Sequence, residues 1–186
     1  MILEGKNIWI ITGPRGVGKT RFCTSLVQTA RLQGWQVEGV ICPPGYSGSE
    51  KSFIEIENLQ TKESATLARV KGEETGSLQT EHWLFDEKVV SWANDFLGSI
   101  SKCDLLLIDE LGPLEFIRGK GWQNGLIAVD HADYRIAVIV IRPELIAKAK
   151  EHWPTARVVE IPVNMDNDTE TRLNDKILFD TDSSHP

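Results

Sequence analysis

The sequence predicts an α/β fold: a mostly parallel sheet with helices packed on both faces. Three observations predict it. Residues 8–11, 105–108 and 136–141 are continuous apolar runs, the pattern of strands buried on both faces rather than on one. Segments with helical spacing of apolar residues alternate with these runs, and that alternation is the signature of a parallel sheet layered by helices. The chain has 186 residues, 41% of them hydrophobic and 25% charged, which is enough for one domain with a proper core.

The elements follow in order. Residues 8–11 end at Thr12 and run into Gly13-Pro14-Arg15-Gly16-Val17-Gly18-Lys19-Thr20-Arg21. A helix is expected next, with Phe22, Leu26, Val27 and Ala30 on one face and Gly34 as its stop. A short strand follows at 37–41. Residues 42–52 turn to Pro, Gly, Ser and Tyr, which is loop chemistry. Residues 53–57 alternate with period two, break at 61–64, and are answered by 65–68, which reads as a half-exposed antiparallel hairpin. Residues 71–85 read as a long polar loop, so that 43–85 forms a hairpin with a lid-like excursion.

Asp86 is placed to cap a helix carrying Val89, Val90, Ala93, Phe96, Leu97 and Ile100. The buried strand at 105–108 then ends in Asp109-Glu110. Trp122, Leu126 and Val129 suggest a short helix, and 136–141 a third buried strand. Pro143 opens a further helix with Leu145, Ile146 and Ala149, and Val158-Val159 begin a last strand. One domain spans 1–165. Residues 166–186 carry six acids against Arg172 and Lys176, and read as an acidic tail or terminal helix that Leu173, Ile177 and Leu178 could dock.

The net charge of −7 argues against sequence-independent nucleic-acid binding and against a polybasic membrane contact. No apolar run approaches the ~20 residues of a membrane span, and the N-terminus lacks the pattern of a signal peptide. Cys23, Cys42 and Cys103 are an odd, scattered set that suits a reducing cytoplasm. His82, His131, His152 and His185 lack metal-ligand spacing. The six tryptophans are dispersed and read as packing, although Trp83, in the lid-like region, could touch a base.

Two segments carry chemistry, and both lie at strand carboxyl ends, where ligands bind in such sheets. Gly13-x-x-x-x-Gly18-Lys19-Thr20 is a complete P-loop, or Walker A, pattern. Its glycines let backbone N–H groups point inward as an anion nest, and the following helix adds its positive end. Lys19 reaches the β- and γ-phosphates, and the Thr20 hydroxyl serves Mg²⁺. Asp109, about 90 residues later, fits the Walker B acid that holds the same ion. Glu110 beside it is placed to orient or deprotonate an attacking water. Arg15 in the loop and Arg142 at the end of the third strand are candidates to neutralise charge in the transition state. The fold is therefore expected to be a three-layer α/β/α P-loop NTPase.

Residues 11–20 together with Asp109-Glu110-Leu111-Gly112-Pro113-Leu114-Glu115 resemble the THEP-type nucleoside-triphosphatases. The similarity covers about residues 7–165, with Gly39-Val40, the hairpin and Trp83-x-Phe85-Asp86 in matching order. It implies a RecA-like sheet, in which another strand separates the P-loop strand from the Walker B strand. It also implies Mg²⁺-dependent hydrolysis of ATP, GTP and other nucleoside triphosphates to diphosphate and phosphate, by a monomer. On this resemblance residues 13–20 bind phosphates, Asp109 serves Mg²⁺, Glu110 activates water, and Glu115 matches a recurrent acid. Two stretches depart from the pattern. A Thr-x-Glu-Val-Arg-like stretch is replaced by Cys42-Pro43-Pro44-Gly45, and a C-terminal Asn-Arg has only Asn164-Met165 and Asn167-Asp168 as counterparts. A hydrolase is the first reading. A P-loop transferase, with the 43–85 excursion as acceptor pocket, and a nucleotide-dependent switch are the alternatives.

Overall fold

In the computed structural model the described residues are 6–179, except 74, 75 and 77. Five parallel strands form the core of the sheet: β1 (Ile8–Thr12), β2 (Val37–Ile41), β7 (Lys102–Leu111), β8 (Asp133–Ile141) and β9 (Arg157–Glu160). Their order is β2-β7-β8-β1-β9, all parallel. β8 therefore lies between β1 and β7, as the RecA-like arrangement requires.

The continuous apolar runs do what their composition demands. Ile8 and Ile10 of β1, Leu106 and Ile108 of β7, and Ala137, Ile139 and Ile141 of β8 face one layer. Trp9 and Ile11, Leu105 and Leu107, and Ile136, Val138 and Val140 face the other. The first layer is covered by α2 (Glu87–Ser99), the one-turn α3 (Pro113–Phe116), α4 (Gln123–His131) and α5 (Ile146–His152). They bring in Val90, Ala93, Leu97, Leu114, Ala128, Val129 and Ala149. The second is covered by α1 (Lys19–Leu32) and α6 (Asn167–Phe179), through Phe22, Leu26, Val27, Ala30, Ile177 and Leu178. Period-two alternation in strands buried on both sides is the cause of the three layers.

The ends of the helices follow their local sequence. Asp86 Oδ1 accepts from Lys88 N at 2.9 Å and Val89 N at 3.3 Å, the N-cap that its position suggests. α1 ends in a Schellman turn, with Gly34 N donating to Arg31 O and Trp35 N to Ala30 O. The acidic C-terminal segment holds α6. Asn174 Nδ2 donates to Ser25 Oγ at 2.9 Å and Arg21 pairs with Glu170 at 3.5 Å, so α6 rests on the helix that the P-loop opens. Residues 180–186 lie outside the described residues.

The excursion is more ordered than its composition suggests. β4 (Glu50–Asn58) and β5 (Ser64–Val70) form the expected hairpin. Two loop expectations are corrected. Pro44–Ser47 is a strand, β3, which folds onto β4 around the Gly48-Ser49 turn. Trp83–Phe85 is a strand, β6, which pairs with β5 and shortens the expected 71–85 loop. These four antiparallel strands extend the sheet beyond β2. The seam is narrow: β2 pairs with β4 through Val40 with Asn58 and Ile41 with Glu57, and Leu59 N donates to Gly39 O beside them. Among the described residues no helix is long and apolar enough to cross a membrane.

Candidate active site

The site forms where the carboxyl ends of β1, β7 and β8 meet. β1 delivers the P-loop. Three of its glycines have positive φ, at 138° for Gly13, 76° for Gly16 and 103° for Gly18. Gly18 is the residue from which α1 starts, so the loop can enter the helix only through a left-handed backbone. The Lys19 ammonium folds back on the loop and donates to Gly13 O at 2.7 Å and Pro14 O at 2.9 Å. Burial holds its pKa below the ordinary lysine value, with the charges of Glu110 and Asp109 pulling the other way.

β7 delivers the acids. Asp109 is only 3% exposed. Its Oδ2 accepts from Cys42 N at 3.2 Å, which ties it to the end of β2, and the Thr20 hydroxyl donates to the same carboxylate. Burial and, behind it, the neighbouring Glu110 charge push its pKa up to about 7, against the two hydrogen bonds. Glu110 points the other way, with Oε1 accepting from Arg142 Nε at 2.6 Å. Arg142 follows β8 directly, so the central strand supplies the cation and its neighbour the carboxylate. The peptide joining Asp109 to Glu110 is cis.

These groups line one cavity of about 770 Å³. Gly13, Pro14, Arg15, Gly16, Gly18, Lys19, Thr20 and Arg21 form one wall, with Asp109, Glu110 and Arg142 at its centre. Val17 lies behind the loop, packed into the second core layer. Arg15 is exposed, and Arg21 lines the cavity while paired with Glu170. The far wall comes from the antiparallel extension and the α2 face, through Lys51, Ile54, Leu67, Trp83, Phe85 and Val90. Neither Asn164 nor Asn167 lines the cavity. Lys51 is a site residue that sequence reasoning misses, because a lone lysine beside a polar turn carries no motif.

Glu115 lies in a different role from its neighbours. It is 9% exposed, and its two oxygens accept from Gly112 N at 2.7 Å and Trp122 N at 2.9 Å. The side chain bridges the loop between β7 and α4. Burial raises its pKa, and the two backbone donors oppose that rise. Gly121, at φ 70°, leaves room for it, since a Cβ there would collide with Glu115 Oε1. Glu115→Ala orphans two buried N–H groups and is expected to cost about 2–4 kcal/mol. Glu115→Gln keeps one acceptor oxygen and should fall between. Denaturant unfolding of the two variants checks the order. Unchanged stability in Glu115→Ala would show that the bridge contributes nothing to the fold.

The oxygen donors present suit a hard divalent cation. Asp109 offers a buried carboxylate whose charge is poorly compensated by the protein, and Thr20 offers a hydroxyl beside it. Among the described residues no group of three or more His, Cys, Asp or Glu could cage a metal alone. One carboxylate and one hydroxyl leave the rest of a cation's shell to substrate phosphates and water.

The sequence profile of a family described as NTPase matches residues 8–170. A protein of Methanopyrus kandleri named nucleoside-triphosphatase THEP1 is 25% identical over 173 residues, covering 91% of this chain and 92% of its own. Its namesake from Ignicoccus hospitalis is 31% identical over 136 residues, covering 67% and 75%. The solution structure of a human cancer-related nucleoside triphosphatase superposes with a TM-score of 0.67 at 19% identity, covering 97% of this chain and all of that one. At that identity the superposition speaks for the fold.

Proposed function

This chain belongs to the NTPase family, and on that footing we propose that it is a Mg²⁺-dependent nucleoside-triphosphatase, with ATP and GTP among its substrates. The observation that carries the reading is the meeting, in one cavity, of the P-loop, Asp109 and the Glu110–Arg142 pair.

The chain's own residues divide the work. Backbone N–H groups of residues 13–20 and the positive end of α1 hold the phosphates, with Lys19 on the β,γ side. Thr20 and Asp109 would hold Mg²⁺, which when bound neutralises charge between the β- and γ-phosphates. Glu110 orients a water against the γ-phosphorus and takes its proton. The bond from the γ-phosphorus to the bridging oxygen breaks, leaving diphosphate and inorganic phosphate. Arg142 fixes the Glu110 carboxylate by one of its five N–H donors and keeps the others for a phosphoryl oxygen.

The test is phosphate release from ATP, GTP, CTP and UTP with and without Mg²⁺. Release from several nucleotides, dependent on the ion, supports the reading. A phosphoryl group appearing on an organic acceptor would instead support a transferase. Tight nucleotide binding without turnover, relieved by a protein partner, would support a switch. Lys19→Ala removes a charge-assisted phosphate contact worth about 1.5–3 kcal/mol, so nucleotide affinity should fall about 10–100-fold. Equilibrium binding of the diphosphate measures this apart from catalysis.

A further inference from the structure

The cations of the cavity are committed unequally. Lys19 donates to Gly13 and Pro14 carbonyls, Arg142 to Glu110, and Arg21 pairs with Glu170. Arg15 is exposed at the rim. Lys51 is exposed like Arg15 and like it has no ion-pair partner among the described residues, but it is set apart by its place and by the ring beneath it. It projects into the same cavity from β4, on the wall opposite the P-loop. Among the described residues its ammonium has no carboxylate within ion-pair distance and donates no hydrogen bond. It lies instead over the Trp83 ring, 5.1 Å from the centroid. β6 supplies that ring, and Tyr46 of β3 is the residue directly across the ladder. Three strands of the extension therefore meet around this one side chain. Burial lowers its pKa, while the charges of Glu110 and Asp109 act on it to raise it, so its field reaches the catalytic acids.

A cation that faces a phosphate cradle and has no anionic partner among the described residues has one obvious use. The P-loop order of contacts puts the γ-phosphate beside Asp109 and Glu110, and the α-phosphate toward the start of α1. The wall that carries Lys51 thus faces the γ end. We propose that Lys51 is a further catalytic residue, its ammonium contacting the γ-phosphoryl oxygens and neutralising the charge that they gather as the bridging bond breaks. No proton is transferred by it. The antiparallel extension then has a chemical role, because it distinguishes triphosphate from diphosphate: only the triphosphate reaches Lys51. The inference rests on the hydrolase reading of the site.

Lys51→Met tests it, since the unbranched side chain can still pack on Trp83 but carries no charge. The expected kcat is lower by about 10²-fold, the range for losing one preorganised electrostatic contact. Affinity for a non-hydrolysable triphosphate analogue should fall about tenfold and affinity for diphosphate should stay within about twofold. Thermal melting should be unchanged, and Lys51→Arg should recover most of the analogue affinity. Wild-type kcat and analogue affinity in Lys51→Met would overturn the proposal. So would equal losses for diphosphate and analogue, which would make Lys51 a general nucleotide contact. A wild-type protein that releases no phosphate defeats the hydrolase reading instead, and the analogue and diphosphate affinities still judge Lys51.

Discussion

Glu110→Gln should bind nucleoside triphosphate at least as well as the parent and turn it over about 10²–10⁴-fold more slowly, the range for losing a positioned general base. The geometry makes this substitution clean. The Gln carbonyl oxygen can still accept the Arg142 Nε–H that now reaches Glu110 at 2.6 Å, so the arginine keeps its place. What is lost is the proton acceptor and one negative charge facing the γ-phosphate, and removal of that charge favours binding. The kinetic signature is a fall in kcat with KM constant or lower. Arg142→Ala gives the comparison: there the Glu110 carboxylate is kept but loses its tether. Single-turnover assays with the Gln variant, alongside equilibrium binding, decide the matter. Turnover within about threefold of the parent would remove Glu110 from the mechanism.

Asp109→Asn should produce opposite effects on activity and on stability. The carboxylate is nearly sealed from solvent, and its pKa stands at about 7 against an ordinary 3.8. The sign follows from proton binding. Between about pH 4 and pH 7 the folded protein holds a proton at this position that the unfolded chain has released. Metal-free stability must therefore fall as pH rises across that window and level off above it. At about 1.4 kcal/mol per pKa unit the effect is large enough to measure. Asn is neutral, and its carbonyl can still accept from Cys42 N. The variant should melt higher than the parent at pH 8 without divalent cation, with this part of the pH slope gone. Its Mg²⁺-dependent turnover should drop by at least about 100-fold, because an ion ligand is lost. Melting curves at pH 5 and pH 8 check the first half. A variant less stable than its parent at pH 8 would mean that the carboxylate is well compensated after all.

Much of this arrangement is legible in the amino-acid sequence. Residues 13–20 and Asp109-Glu110 announce themselves by type and spacing, and the apolar runs that carry them can only be strands buried on both faces. The place of β8 between β1 and β7 is a different matter. Periodicity finds strands and does not order them, so that expectation comes from family resemblance. The antiparallel extension is half legible. The hairpin alternates over enough residues to be read, whereas Trp83–Phe85 is too short for a period and Pro44-Gly45 reads as a turn. Both become strands only because β5 and β4 offer an edge, a tertiary cause invisible in local sequence. Lys51 and Glu115 are the instructive pair. One is a lysine among turn residues that no motif marks, and the other an acid in a conspicuous motif whose type leaves its role open: both line the cavity, and the acid also braces a loop.

The seam between β2 and β4 has a consequence for how such a protein can change over generations. Joined by two residue pairs, the wing of antiparallel strands can be lengthened, shortened or redecorated at its turns around residues 48 and 60. None of those changes renegotiates the register of β2, β7, β8 and β1. Apart from Lys51 and the ring it rests on, that wall of the cleft is free to drift toward new small molecules, while the P-loop wall is held by the core of the sheet. Divergence of specificity at constant chemistry is the natural history that this architecture favours.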